Sequence, residues 1–244
     1  MRLAHWNITG LPRTNEGALT AMIENLMTEN IDVCVLSETW LLKADEILVQ
    51  HIRQSEWDIL TPETDSNGKG GVAVVYNTKT CKCRLLETGE RNIAQVEIKK
   101  GEAEEVYVTG MYVQHGQDAL DDTLLFDSAE GLIKKGRHNI LMGDMNATLT
   151  EEQQETWIPQ EQNQRRMNEE PARMNKRKIE RGELLYRLLK NTRMALTTGR
   201  KDGSKKDKTA LLTFAQSKTS SKGSTLIDYV AVEAGKMNCC KKQT

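Results

Sequence analysis

The chain has 244 residues, with 34 Lys and Arg against 35 Asp and Glu, 38% apolar and 28% charged content. That length fits one large domain or two small ones, one being the simpler reading, and leaves ample chain to bury a core. No apolar run reaches membrane-spanning length, and aromatics at 5% with a mean hydropathy of −0.59 leave the core to Val, Ile, Leu and Met. The net charge of −1 hides an asymmetry: residues 1–150 carry −9, 151–208 carry +5 and 209–244 carry +3. The basic clusters Arg173–Arg181 and Arg200–Lys208 can track a nucleic-acid backbone, or form a solvated helix face and a basic loop.

Leu3–Ile8 predicts a short strand, broken by Gly10-Leu11-Pro12. Leu19, Met22, Ile23, Leu26 and Met27 then recur at helical spacing, predicting a helix from Glu16 to Asn30. Ile31–Leu36 is nearly all apolar and β-branched, as in a strand covered on both faces, and it runs into Ser37-Glu38-Thr39-Trp40. A helix is predicted over Ala44–Gln54 and a turn over Ser66–Gly71. Strands follow over Val72–Tyr76, near Arg84–Leu86, over Ile93–Lys99 and over Val106–Val113. Leu124, Leu125, Leu132 and Ile133 place a helix over Leu120–Lys135, stopped by Gly136, and Asn139–Met142 is a buried strand.

Residues 151–180 are polar and carry little apolar pattern beyond Trp157 and Ile158, so they read as a long, partly mobile insertion. A helix over Gly182–Leu196, a loop over Thr198–Thr209, a strand over Leu211–Ala215 and a break over Ser217–Ser224 precede a last strand, Leu226–Val232, which Asp228 interrupts. The N-terminus has no signal-peptide pattern, and the five cysteines lack zinc-ligand spacing, which together favour an intracellular, nuclear or cytoplasmic protein.

The chemistry gathers at strand ends. In Gly143-Asp144-Met145-Asn146 an extended backbone would project Asp144 and Asn146 from one face. A carboxylate there can orient or deprotonate a water while the amide donates to phosphate oxygens; an Asx-type turn is the structural alternative. Glu38, beyond the apolar strand, offers the hard oxygen that magnesium prefers, or starts a helix. Asn7 and Asp228 also stand at or in strands, and a carboxylate inside a β-run is costly to bury without a partner.

Trp-Asn-Ile-Thr-Gly-Leu at 6–11, Leu-Ser-Glu-Thr-Trp-Leu at 36–41, Gly-Gly-Val-Ala-Val at 70–74, Leu-Met-Gly-Asp-Met-Asn-Ala at 141–147 and Ser-Thr-Leu-Ile-Asp-Tyr-Val at 224–230 resemble, in order, the motifs of the endonuclease/exonuclease/phosphatase family. The likeness spans residues 1–232 and leans toward the endonuclease domains of non-LTR retrotransposons and exonuclease-III-like apurinic endonucleases. It implies a single domain over 1–244 with a four-layered α/β sandwich, two packed mixed sheets and outer helices. By the same resemblance Glu38 binds Mg2+, or Mn2+ in its place, with Asn7 close to metal and phosphate. Asp144 activates water, Asn146 holds the phosphate, Tyr112 contacts phosphate, and Asp228 orients a C-terminal histidine.

That histidine's Ser-Asp-His motif is absent before Thr244, Thr9 replaces the acid or amide often found there, and Gln114 replaces a proline after Tyr112. A truncated last strand and reduced catalysis are therefore expected. The implied activity is metal-dependent hydrolysis of DNA by a retroelement-type endonuclease. The alternatives are a phosphatase on inositol phosphates or other phosphoesters, and a non-catalytic remnant that binds nucleic acid.

Overall fold

The computed structural model describes residues 1–11, 16–42, 46–53, 55–62, 70–86, 88–134, 136–150, 152–158, 175–197 and 228–239. Two compact units divide the chain, the first made of Met1–Gln114 and Gly136–Gly143 and the second of His115–Lys135 and Asp144–Thr244.

In the first unit β1 (Leu3–Asn7) runs parallel to β2 (Val33–Ser37), and α1 (Glu16–Thr28) makes the crossover between them. The helix forms because Leu19, Met22, Ile23 and Leu26 fall on one face and bury there. The sheet order is β1-β2-β4-β3, with β3 (Trp57–Leu60) and β4 (Val72–Asn77) antiparallel to each other and β4 antiparallel to β2. Every residue of β2 is buried. Cys34 and Leu36 pack with Ala73 and Val75 against residues of α1 and with Ile52 of α2 (Glu46–Arg53), while Val33 and Val35 point the other way.

That other face meets a second sheet, in which β5 (Lys82–Leu86), β6 (Ile93–Lys99) and β7 (Val106–Tyr112) are antiparallel and β8 (His138–Asp144) lies beside β7. A Cβ on Gly110 would stand 2.6 Å from Val35 and 3.0 Å from Val72, so the two sheets touch most closely where β7 has no side chain. Ala94 and Val96, opposite Gly110 and Val108, share that face. The two packed sheets with helices outside are the expected α/β sandwich. β3 has no counterpart among the predicted elements: four residues with Trp57 and Ile59 inward carry too short a pattern, and its pairing with β4 decides it.

Away from the Gly71 end of β4, Asp32 precedes β2 and takes both its oxygens 2.8 Å from Lys100 Nζ, with the Arg2 amide donating at 2.7 Å. Burial works against the Asp32 carboxylate, yet the Lys100 ammonium and the Arg2 N–H outweigh it and hold the pKa below the usual range.

In the second unit α3 (Ala119–Leu132) packs on α4 (Lys176–Thr192). The Asp118 side chain caps α3 by accepting from Asp121 N, and Asn175 caps α4 through Arg177 N. Arg181, 2% exposed, donates from Nε to Asp122 Oδ2 at 2.7 Å, and Arg177 reaches the same oxygen at 2.7 Å. This corrects the predicted helix over 182–196. Helix begins at Lys176, inside the stretch read as polar insertion, because Asp122 neutralises charges that a sequence pattern assigns to solvent. It ends at Thr192, where Arg193 turns left-handed (φ 56°) and donates to Leu189 and Lys190 carbonyls.

Met194–Leu196 is then strand β9, antiparallel to β10 (Asp228–Glu233), and a 3-10 helix, Ala234–Cys239, follows. Residues of the 152–158 stretch are packed in place, since Glu155 accepts from Leu196 N at 2.6 Å and Trp157 Nε1 donates to Met194 O at 2.8 Å. The predicted strand over Leu211–Ala215, the loop and break around it and the Arg200–Lys208 cluster lie outside the described residues. Among the described residues no helix is long and apolar enough to cross a membrane.

Two outcomes follow from these charges. Asp122→Asn is expected to cost about 3–5 kcal/mol in urea denaturation, because it strands a buried guanidinium, while the double change Asp122→Leu with Arg181→Met recovers most of that loss. The stability due to Asp32 is present above its unfolded pKa near 3.9 and is lost as pH falls through its lower folded value; Asp32→Asn should melt lower at pH 7 and show a flatter acid limb than the wild type.

Candidate active site

Parallel pairing of Asn7 with Ser37 brings β1 and β2 to the same level, so the residues that follow them meet. Asn7 Nδ2 donates to Glu38 Oε1 at 2.8 Å, and Asn7 Oδ1 accepts from Thr9 N at 3.1 Å, so both ends of the amide are held. The backbone here is left-handed at Thr9 (φ 47°), Gly10 (98°), Glu38 (55°), Trp40 (50°), Gly70 (86°) and Gly71 (91°). Each non-glycine among these costs on the order of 1 kcal/mol or more, which surrounding bonds must over-determine. They do: Gly10 N donates to Glu38 O at 2.6 Å, Leu11 N to Thr39 O at 2.9 Å, and Trp40 N to Gly70 O at 2.9 Å. The Trp40 ring lies where a Gly10 side chain would be, 2.7 Å from its absent Cβ.

Below Asn7, His5 Nε2 shares a hydrogen bond with Ser37 Oγ, and burial pushes the imidazole pKa down to about 4, so the ring is neutral near pH 7. Gly71 N donates to Asn92 Oδ1 at 2.8 Å. Tyr112 belongs to this same rim: its N–H bonds Asn92 O at 2.9 Å, and its ring comes within 3.5 Å of the position a Gly70 Cβ would take, next to Gln114. Sequence reasoning singled out Tyr112 and Glu38 but not Asn92, whose role only the meeting of two loops makes visible.

The second unit holds the other pair. Gly143 (φ 152°) has no room for a side chain, since a Cβ would fall 1.8 Å from Met111 O, and β8 ends one residue later at Asp144. Asp144 and Asn146 are 2% and 0% exposed. Asn146 is left-handed (φ 43°) and its backbone N–H donates to Asp144 Oδ1 at 3.0 Å. This corrects the extended i, i+2 reading: the two side chains are related by an Asx turn, because the strand stops at Asp144 and the amide hydrogen bond closes the bend. The structural alternative and the pairing of the two residues are therefore both present.

The loop after them is pinned from two sides. Tyr229 Oη donates to Ala147 O at 3.1 Å, and Thr148 N donates to Lys178 O at 2.8 Å, with Gly182 of α4 so close that a Cβ would lie 2.0 Å from Thr148 O. Tyr229 had a sequence signal in the Ile-Asp-Tyr motif; Gly182 had only its isolation within a helix. Asp228 opens β10, and its side chain lies outside the described residues.

Among the described residues no three His, Cys, Asp or Glu side chains cluster as metal ligands. A single carboxylate steadied by an amide is a donor set for magnesium, which takes one or two carboxylates and keeps several waters. The residues present fit such an ion.

The profile of the Endonuclease/Exonuclease/phosphatase family matches residues 4–157, a stretch that holds Asn7, Glu38, Tyr112, Asp144 and Asn146. The chain belongs to this family. Solved structures agree on the fold. The endonuclease domain of TRAS1, a telomere-specific non-LTR retrotransposon, superposes with a TM-score of 0.59 at 14% identity, over 94% of this chain and 84% of that one. The 3'-5' exonuclease NExo from Neisseria meningitidis gives 0.63 at 14% identity over 99% and 90%, and the AP endonuclease LMAP from Leishmania major 0.63 at 13% over 96% and 79%. No curated protein sequence matches the chain. The family is generally dependent on divalent metal, and family and fold together support a hydrolase acting on phosphoesters.

The strand-end geometry is testable through its backbone. Gly10→Ala should destabilise the protein by about 1–3 kcal/mol in thermal denaturation, through both the left-handed φ and the contact with Trp40, whereas Thr9→Gly should be neutral or stabilising.

Proposed function

We propose that this protein is a magnesium-dependent endonuclease of retroelement type that hydrolyses phosphodiesters of DNA, with manganese able to replace magnesium. The observation that carries the proposal is the Asn7–Glu38 hydrogen bond at two strained, cross-braced strand ends: a carboxylate held in an unfavourable backbone state has a task other than folding. In this reading Glu38 holds the cation and Asn7 keeps the carboxylate in place and stands near the phosphate. The bound cation supplies Lewis-acid stabilisation of charge developing on the phosphoryl oxygens.

Asp144 accepts the proton of the attacking water, and the Asx turn fixes which of its oxygens is already engaged. Asn146 donates to the scissile phosphate, Tyr112 gives it a further contact from the Gly70 rim, and Asp228 corresponds to the acid that in the family orients a C-terminal histidine. The basic balance of residues 165–208 favours a polyanionic strand over an inositol phosphate, and the likeness in fold to a non-LTR retrotransposon endonuclease domain supports the retroelement branch.

Supercoiled plasmid in magnesium should be nicked by the wild-type protein. Glu38→Ala and Asp144→Ala should each lower the rate by about 100-fold or more, in keeping with the loss of one preorganised electrostatic group, and chelation of the metal should abolish nicking. Plasmid left intact at stoichiometric protein would sink the proposal. Release of phosphate from inositol phosphates, with plasmid intact, would move the assignment to a phosphatase.

A further inference from the structure

Away from the Asn7–Glu38 rim, at the Asp32 end of the first sheet, two cysteines face each other. Cys81 follows the turn after β4 and Cys83 lies in β5, and their sulfurs are 4.0 Å apart. Cys81 is 4% exposed and Cys83 half-buried, which leaves the pair approachable from one side. The Cys81 thiol is steered by two backbone carbonyls, Asn77 O at 3.5 Å and Asp32 O at 3.8 Å. Asp32 is in turn clamped by Lys100, so the sulfur stands on a fixed support beside an ion pair.

We propose that Cys81 and Cys83 form a two-thiolate site for a soft monovalent cation of the copper(I) class. Two sulfurs 4.0 Å apart subtend roughly 120° at a metal about 2.3 Å from each, and parting by about 0.6 Å through side-chain rotation opens them to the linear geometry of two-coordinate copper(I). A disulfide would need the sulfurs to close by about 2 Å, to a bond of ~2.05 Å. Soft thiolates select copper(I), whereas zinc wants four ligands, and no third His, Cys, Asp or Glu joins the pair among the described residues. Two thiolates around a monovalent ion leave one negative charge, which Lys100 favours and its ion-pair partner Asp32 opposes.

Protonation follows the same logic. The hydrogen bond from Cys83 holds the Cys81 thiol below its ordinary pKa, and that same bond and burial push Cys83 up. Capture of the ion needs both sulfurs as thiolates and therefore releases protons.

The test is an anaerobic titration of reduced protein with copper(I) against a chromogenic copper(I) chelator, in a Cys239→Ser, Cys240→Ser background that removes the adjacent Cys-Cys pair. One equivalent per chain is expected, with proton release on binding. Cys81→Ser and Cys83→Ser should each weaken binding by on the order of 100-fold while melting within a few degrees of the parent. Equal binding by both variants and the parent would overturn the assignment. So would a reduced parent that takes up no copper(I), or one that binds zinc as tightly.

Discussion

The close approach of two β-sheets at Gly110 is the constraint on which the first unit depends. Val35 and Val72 occupy the space a side chain there would fill, so the inner faces of β2 and β4 settle directly on β6 and β7. Close packing of this kind has few alternatives, because interiors of crystal-like density do not deform continuously. It fixes the direction of each strand, and through the parallel register of β1 and β2 it fixes where Asn7 and Glu38 emerge. The helices on the outer face then bury Cys34 and Leu36, which explains why β2 has no exposed side.

What the core gains, the strand ends consume in part. Thr9, Glu38 and Trp40 sit in left-handed backbone states just past the paired ends of β1 and β2, and Asn146 does so after β8, whereas Asn30 and Arg193 follow helices, where such states are ordinary. Cross-bonds among the loops at Gly10, Glu38, Thr39 and Gly70–Gly71 keep these residues from relaxing. Identities of 13–14% to proteins that share the fold show how little of the sequence such a frame needs. Apolar residues of many kinds serve in the sheets; glycines at the points of closest approach do not have substitutes.

In the second unit a buried charge joins the apolar packing of Leu125, Phe126, Leu185 and Leu189. Asp122 and Arg181 lie buried between α3 and α4, with Arg177 reaching the same carboxylate, and the ion pairs make that burial tolerable. The pair explains why the polar stretch after residue 175 turns helical, and why it could not be read as such: periodicity arguments assume that charged residues mark the solvent side. Tyr229 and Gly182 show a similar limit, since each matters through a single carbonyl brought near by folding.

The sequence by itself determined the family, the α/β sandwich, and most elements to within a few residues, from α1 through β8, because those segments bury one face with a clear period and the motifs stand in order. It also named Asn7, Glu38, Asp144 and Asn146 as the residues of interest. Only the tertiary structure decided that Asn7 donates to Glu38, that Asp144 and Asn146 are joined by a turn and not by a pleat, that Met194–Leu196 is strand, and that Cys81 faces Cys83. The reason is common to all four: a hydrogen-bond direction, a left-handed φ or a sulfur–sulfur distance is set by neighbours that packing supplies, and no local pattern along the chain encodes them.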